Sequence, residues 1–382
     1  MSILPKDDDE DVLKLELEVS LPLSYLELSL LPFHQSVYVS VVRSVLGFER
    51  KSSLAAILIT LALAAPATYL ALAMIMSRLR KLAHAKITNK NTLELFGLWI
   101  AAKLVVLPGN VIDYNCHHKW KVIALHWPME QYYKRDCFPL DYPPLFFFME
   151  RFWGELIALV SPADMELGSL FKGSGLLFLL IRITVILSDI LYFWAVLYLM
   201  RTVTRILHDK AKKNDSPTPT YTEAPSPLTV NMSIFVVCLF DPSLLATDNT
   251  FVQYNSVTLG FSLLSLNFLL QRRYLLASFL YCVALLTKQI IVYHGFGYFA
   301  FLLLHYCLTV SERFEGSRSF SVNWGNSLKL ASIVIGSFAC VMLPFRSQFG
   351  DIVYSMTGGN NAKLGYPMPN LQFFYSLTEL IF

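Results

Sequence analysis

Charge is what this sequence has least of. Only 15% of its 382 residues are Asp, Glu, Lys or Arg, while 55% are hydrophobic. A soluble globular domain carries about 25% charged residues. A surface facing lipid needs no charge to stay dispersed, so the deficit points to a membrane protein, with lipid as its surroundings. The formal net charge of +3 is too small over this length to suggest nucleic acid as a partner. Cysteines are few, six in all, and scattered. Cys238, Cys282, Cys307 and Cys340 fall inside apolar runs, where a thiol acts as a small apolar group. No Cys/His spacing resembles a zinc site. His117 and His118 are adjacent, so a regular element aims them in different directions, and neither a metal nor a cofactor is expected. The first residues lack the positive charge of a signal peptide and open instead on Asp7, Asp8, Asp9, Glu10 and Asp11. An internal repeat, the mark of many transporters, is also missing.

Long apolar runs are what the sequence has in abundance. A transmembrane helix needs about 20 mainly apolar residues, and 54–76 meets this without a charge. Further spans are expected at 93–108, 176–200, 229–247, 256–270, 274–287, 290–308 and 328–345, with Lys103 and Arg182 among the basic residues inside them. Basic residues collect in alternate loops. Arg78, Arg80, Lys81, Lys86 and Lys90 form one group; Arg201, Arg205, Lys210, Lys212 and Lys213 the next; then Arg272 with Arg273, and Arg313 with Arg318. With eight spans all four clusters fall on one side, which the positive-inside rule assigns to the cytosol. The polar, Pro-rich stretch 209–228 reads as a flexible cytosolic linker. The opposite side holds the long segment 109–175, the tight hairpin near 248–255, the link at Lys288 and the segment after Phe345. Cys116 and Cys137 share the first of these, and a disulfide and two free thiols are both open readings there.

Acidic residues gather where spans meet that side: Asp113 after an apolar run, Asp141 in Leu-Asp-Tyr-Pro-Pro, and Asp248 at the hairpin tip. A carboxylate at the membrane boundary is costly when desolvated and so tends to be functional. It is equally a favoured helix cap. Two prolines after Tyr142 fix the backbone at Asp141, which suits a binding group or a plain helix start.

In their order, Asp113-Tyr-Asn-Cys-His-His-Lys-Trp120, Pro128-Met-Glu-Gln-Tyr-Tyr133, Leu140-Asp-Tyr-Pro-Pro144, Phe251-Val-Gln-Tyr-Asn-Ser-Val-Thr-Leu-Gly260, Lys288-Gln-Ile-Ile-Val-Tyr-His294 and Ser337-Phe-Ala-Cys-Val-Met-Leu-Pro-Phe345 resemble the endoplasmic-reticulum glucosyltransferases that use dolichyl-phosphate glucose. The resemblance covers roughly 93–345. It implies an all-α polytopic fold of the GT-C glycosyltransferase type, with about eight spans. The chain then divides into an unassigned extension 1–53, an extra span and basic loop 54–92, a membrane core 93–345 with lumenal loop 109–175, and a divergent lumenal segment 346–382. Because the family continues further, the chain reads as C-terminally incomplete. The implied reaction is an inverting, metal-independent transfer of glucose from dolichyl-phosphate glucose to a lipid-linked oligosaccharide, forming an α-1,3 linkage in the endoplasmic-reticulum membrane. The motif spelling leans toward the enzyme that adds the first glucose to Man9GlcNAc2, and the short gap between Trp120 and Asp141 toward the second. Asp113 matches the position of the catalytic base. Asp141, Tyr142, Asp248, Gln253, Tyr254, Asn255 and Lys288 match positions near the substrates, with Lys288 suited to hold the donor phosphate. A snorkelling lysine at 288 and a belt tyrosine at 254 are the plainer readings. Asn115 and His118 stand where the family usually has Glu and Arg, and Phe251 where its hairpin has His. Those departures keep an inactive paralogue with a scaffolding role in view, and a polytopic transporter is the rival from another class.

Overall fold

In the computed structural model the residues described are 70–71, 73–83, 88–105, 112–133, 140–170, 173–214, 232–250, 252–312 and 318–356. The expected extension 1–53, most of the span 54–76, Phe251, Cys137 and with it the Cys116 pairing, and the end of the chain from 357 lie outside them.

The architecture is helical. Helix α1 covers 73–83 and α2 Asn89–Val105. The segment expected as a lumenal loop is itself folded: α3 (Ile112–His126) and α4 (Leu145–Val160) form an antiparallel pair, followed by two short 3-10 turns at Pro162–Met165 and Leu167–Ser169. The side chain of Asp164 ties this end together by accepting from Ser161 Oγ at 2.7 Å and from the Ser174 backbone N–H at 3.0 Å. His118 and His126 meet the backbone carbonyls of Asp164 and Met165 at 2.9 and 2.7 Å. Position 118, where the family usually has Arg, is therefore occupied by a buried structural contact.

Helix α5 (Gly175–Asn214) runs 40 residues, well past the expected end at 200. After Gly175 its sequence holds neither Gly nor Pro until Pro217, so no breaker stops it at the membrane edge. The expected span 229–247 resolves into α6 (Met232–Leu239), a short helical turn at Pro242–Leu245 and a π-helical turn at Ala246–Thr250. Helices α7 (Asn255–Leu270) and α8 (Tyr274–Thr287) form a hairpin closed by Arg272 at φ 60. This is the left-handed C-terminal cap usually given to glycine. Next come a 3-10 segment at Gln289–His294, α9 (Gly295–Leu302) and a second π-helical turn. The chain then leaves the helical pattern in an antiparallel hairpin, β1 (Leu308–Glu312) with β2 (Arg318–Val322). The sequence reading had placed a bare loop there. Helix α10 (Trp324–Met342) and α11 (Phe349–Met356) close the described chain.

Among the described residues three stretches are long and apolar enough to cross a membrane: Gly175–Leu207, Gln289–Cys307 and Trp324–Met356. Ile234–Leu245, α7 and α8 are apolar but shorter. One buried core joins α3, α4, the start of α5, α7 and the segment 345–352 around Phe147, Tyr133 and Phe345; a second joins α1, α2, α5 and α6 around Trp99 and Phe193. Between α5 and α7 the backbones approach closely. A side chain on Gly260 would stand 3.0 Å from Leu191 and 3.1 Å from the Tyr192 amide, the small-residue contact typical of membrane helices. Two basic residues inside expected spans, Lys103 and Arg182, are both engaged. Lys103 pairs with Asp189 at 2.6 Å, and Arg182 donates to the carbonyls of Lys103 and Leu104 at 2.6 and 2.7 Å. The segment after Phe345 is part of the core. Gln348 accepts from the Tyr133 amide at 2.8 Å and donates to the Met129 carbonyl at 2.6 Å.

Candidate functional site

Asp113 sits in the first turn of α3, where the unpaired backbone N–H groups favour an anion. It is half-buried, and its Oδ2 accepts a 2.8 Å hydrogen bond from Nε2 of Gln253. Gln253 lies on the short non-helical stretch 252–254 between the π-helical turn and α7. Its Oε1 in turn accepts from Asn255 Nδ2 at 3.0 Å. Asn255 begins α7 and also donates to Asp248 Oδ1, at 2.8 Å from the side chain and 3.1 Å from the backbone. The second oxygen of Asp248 accepts from the Ser256 amide at 2.6 Å. Asp248 is thus a buried cap for α7, carried on the preceding turn. Lys288, at the end of α8, donates to Asn255 Oδ1.

Two residues reach the same place from the α4 side. Tyr142 stacks on Phe146 with ring centroids 4.3 Å apart, and the Lys288 ammonium lies 5.0 Å from the Tyr142 ring centre, within cation–π range. The backbone carbonyl of Asp141 accepts from Gln289 Nε2 at 2.8 Å, leaving its carboxylate beside the lysine. Burial pushes the Asp141 carboxyl above the ordinary range; Lys288 offsets this and the charge of Asp113 adds to it. Lys288 is pushed below the ordinary lysine range, again by burial, against the pull of Asp248, Asp141 and Asp113. One ammonium therefore faces three carboxylates. A cavity of about 340 Å³ opens beside Gln253, Asn255 and Lys288, walled by Tyr192, Thr258 and Ile291.

Of the eight residues singled out from the sequence, seven meet here. The eighth, Tyr254, does not face the site. Its side chain is 3% exposed and turns inward, where its hydroxyl lies 3.1 Å from Lys121 Nζ and 2.7 Å from Thr184 Oγ1. A sugar has no access to that ring, so both the substrate-contact and the belt readings of Tyr254 are corrected. Sequence reasoning missed Gln289 and a buried cluster behind the site: Lys121 donates to Glu150 Oε2 at 2.5 Å, and His117 Nδ1 lies 2.6 Å from Glu150 Oε1. The available signal was spacing, since Asp113, His117 and Lys121 fall on one face of a helix. Asn115 is exposed on the opposite side. Among the described residues no group of His, Cys, Asp and Glu is arranged to hold a metal.

The arrangement can take a proton at Asp113 and place a positive charge next to it, on a helical scaffold with apolar segments of membrane-spanning length. These features define an α-helical membrane protein with a polar site gathered from three separate stretches of chain. Residues 99–356 match the ALG6, ALG8 glycosyltransferase family, and the chain belongs to that family. It is 28% identical over 300 residues to the dolichyl pyrophosphate Glc1Man9GlcNAc2 alpha-1,3-glucosyltransferase of Kluyveromyces lactis, covering 75% of this chain and 50% of that protein. The Arabidopsis thaliana protein of the same name is 29% identical over 295 residues, 75% of this chain and 52% of its own. A probable dolichyl pyrophosphate Man9GlcNAc2 alpha-1,3-glucosyltransferase of Dictyostelium discoideum is 29% identical over 250 residues, covering 62% and 42%. The chain spans about half the length of the curated relatives it matches.

Proposed function

We propose that the protein transfers glucose from dolichyl-phosphate glucose to a lipid-linked oligosaccharide, with Asp113 as the base. The carrying observation is that Asp113 is held by Gln253 in a half-buried site that also holds the ammonium of Lys288. An acceptor hydroxyl gives its proton to Asp113 while its oxygen bonds to C1 of the glucose. The bond from C1 to the phosphate oxygen breaks, and its electron pair leaves with dolichyl phosphate. Phosphate is already a good leaving group, so the scheme calls for no metal. Lys288 stabilises the departing negative charge, and Gln253 and Asn255 offer amides to sugar hydroxyls.

For the acceptor we take Glc1Man9GlcNAc2 in place of the Man9GlcNAc2 toward which the motif spelling leans. The alignments of 295 and 300 residues are to proteins named for it, and the short Trp120–Asp141 interval agrees. The wider setting is an eight-span GT-C arrangement in the endoplasmic-reticulum membrane with the Asp113 site lumenal. The apolar helices and the alternation of basic loops support it.

The test uses the full protein expressed in cells lacking both glucosyltransferase activities, followed by analysis of their lipid-linked oligosaccharides. With Glc1Man9GlcNAc2 supplied, a second glucose is expected. Glucose added to Man9GlcNAc2 instead overturns the choice of acceptor, and no addition to either overturns glucose transfer.

A further inference from the structure

Asp113, His117 and Lys121 recur four residues apart along α3, so one face of that helix carries the proposed base and two further polar groups. His117 and Lys121 are buried and converge on Glu150, which is 0% exposed in α4. Burial works to raise the Glu150 carboxyl, and the Lys121 ammonium with His117 outweighs it, holding the group below its ordinary range. Lys121 also reaches Tyr254, whose hydroxyl Thr184 meets from α5. Tyr254 stands between Gln253 and Asn255, just before α7, and its buried side chain is held from the opposite side by Lys121 and Thr184. Its two neighbours enter the site while it points back into the protein. The residue before them, Val252, has φ 60, a conformation that costs a β-branched side chain free energy and persists only where its surroundings enforce it.

We propose that Glu150, Lys121 and His117 are positioning residues. They hold Tyr254 as the anchor of 252–255 and so set the reach of Gln253 to Asp113 and of Asn255 to Lys288. Stability alone does not account for charged groups here, because a buried ion pair is often no more stabilising than apolar residues of the same volume. Their contact with the one side chain between two site amides does account for them. The kinetic consequence rests on the glucosyl-transfer reading; the conformational one does not.

Two variants of the full protein test this: Tyr254→Phe, which removes a single hydroxyl, and Glu150→Gln. In transfer assays both are expected to lose about tenfold or more in kcat, because small displacements of reacting groups are costly. The donor KM should stay within about twofold, the pattern of an interaction felt in the transition state. Independently of activity, hydrogen exchange reads the backbone amides of Gln253, Asn255 and Ser256, which donate to the Thr247 carbonyl at 3.2 Å and to Asp248 at 3.1 and 2.6 Å. These amides are expected to exchange faster in both variants while the rest of α7 stays protected. Unchanged exchange at all three overturns the proposal whatever the activity. So does a lower kcat without faster exchange. Should Glu150→Gln fail to fold, Tyr254→Phe decides alone. A wild-type protein that transfers no glucose, with the exchange pattern as expected, removes the function and leaves the positioning role standing.

Discussion

Gln253 and Asp113 are 140 positions apart in the chain and joined by a single 2.8 Å hydrogen bond. The amide hydrogen it supplies points at one oxygen of the carboxylate we propose as the base. Asp113→Asn keeps the shape and removes the basicity. Transfer is expected to fall by about 10²- to 10⁴-fold, the usual contribution of a positioned acid or base, with expression in microsomes unchanged. Transfer at the wild-type rate would remove Asp113 as the base.

Lys288 makes a pH prediction. Burial holds its ammonium below the ordinary lysine range, so the charge is lost as pH rises at a lower pH than for an ordinary lysine. Donor KM should therefore climb on the alkaline side, earlier than an ordinary lysine would dictate. Lys288→Arg, which stays charged, should flatten that limb. Lys288→Gln should raise donor KM by about ten- to a hundredfold at neutral pH, the worth of a charge-assisted contact. A flat alkaline limb in the wild-type protein argues that Lys288 does not meet the phosphate.

The buried pair Lys103–Asp189, joined at 2.6 Å, predicts an asymmetry between single and double variants. Lys103→Met leaves a carboxylate without its partner and should destabilise by about 3–5 kcal/mol, whereas pairing it with Asp189→Leu should recover most of the loss. Thermal unfolding in detergent measures both. Equal melting temperatures for the single variant and the wild type would mean that the pair carries nothing.

Topology has its own marker. Asn214 heads the sequon Asn-Asp-Ser and ends α5, on the side we assign to the cytosol, and Asn231 heads Asn-Met-Ser. Both are expected to stay unmodified, so glycosidase treatment should not shift mobility. A glycan on Asn214 would reverse the orientation of every span.

The parts of the site legible in the sequence are those that interrupt apolar runs. Asp113, Asp141 and Asp248 stand out because acidic residues at a span boundary are few, whereas Gln253, Asn255 and Lys288 were marked by the resemblance of their motifs. Glu150 and Lys121 were invisible because α4 and α3 read as portions of a loop, where charge is unremarkable. Only their pairing across two helices reveals that they are buried. Tyr254 misled for the opposite reason: it is flanked by site residues, yet its side chain turns away from them to meet Lys121 and Thr184. The span boundaries also ran short at α5, where nothing in the sequence stops a helix, and at 308–322, where five-residue strands lie below the resolution of an apolar window.

The length of α5 has a further consequence. At 40 residues it measures about 60 Å, roughly twice the hydrocarbon thickness of a bilayer. A helix that enters near Gly175 therefore emerges with its last turns standing clear of the lipid like a mast.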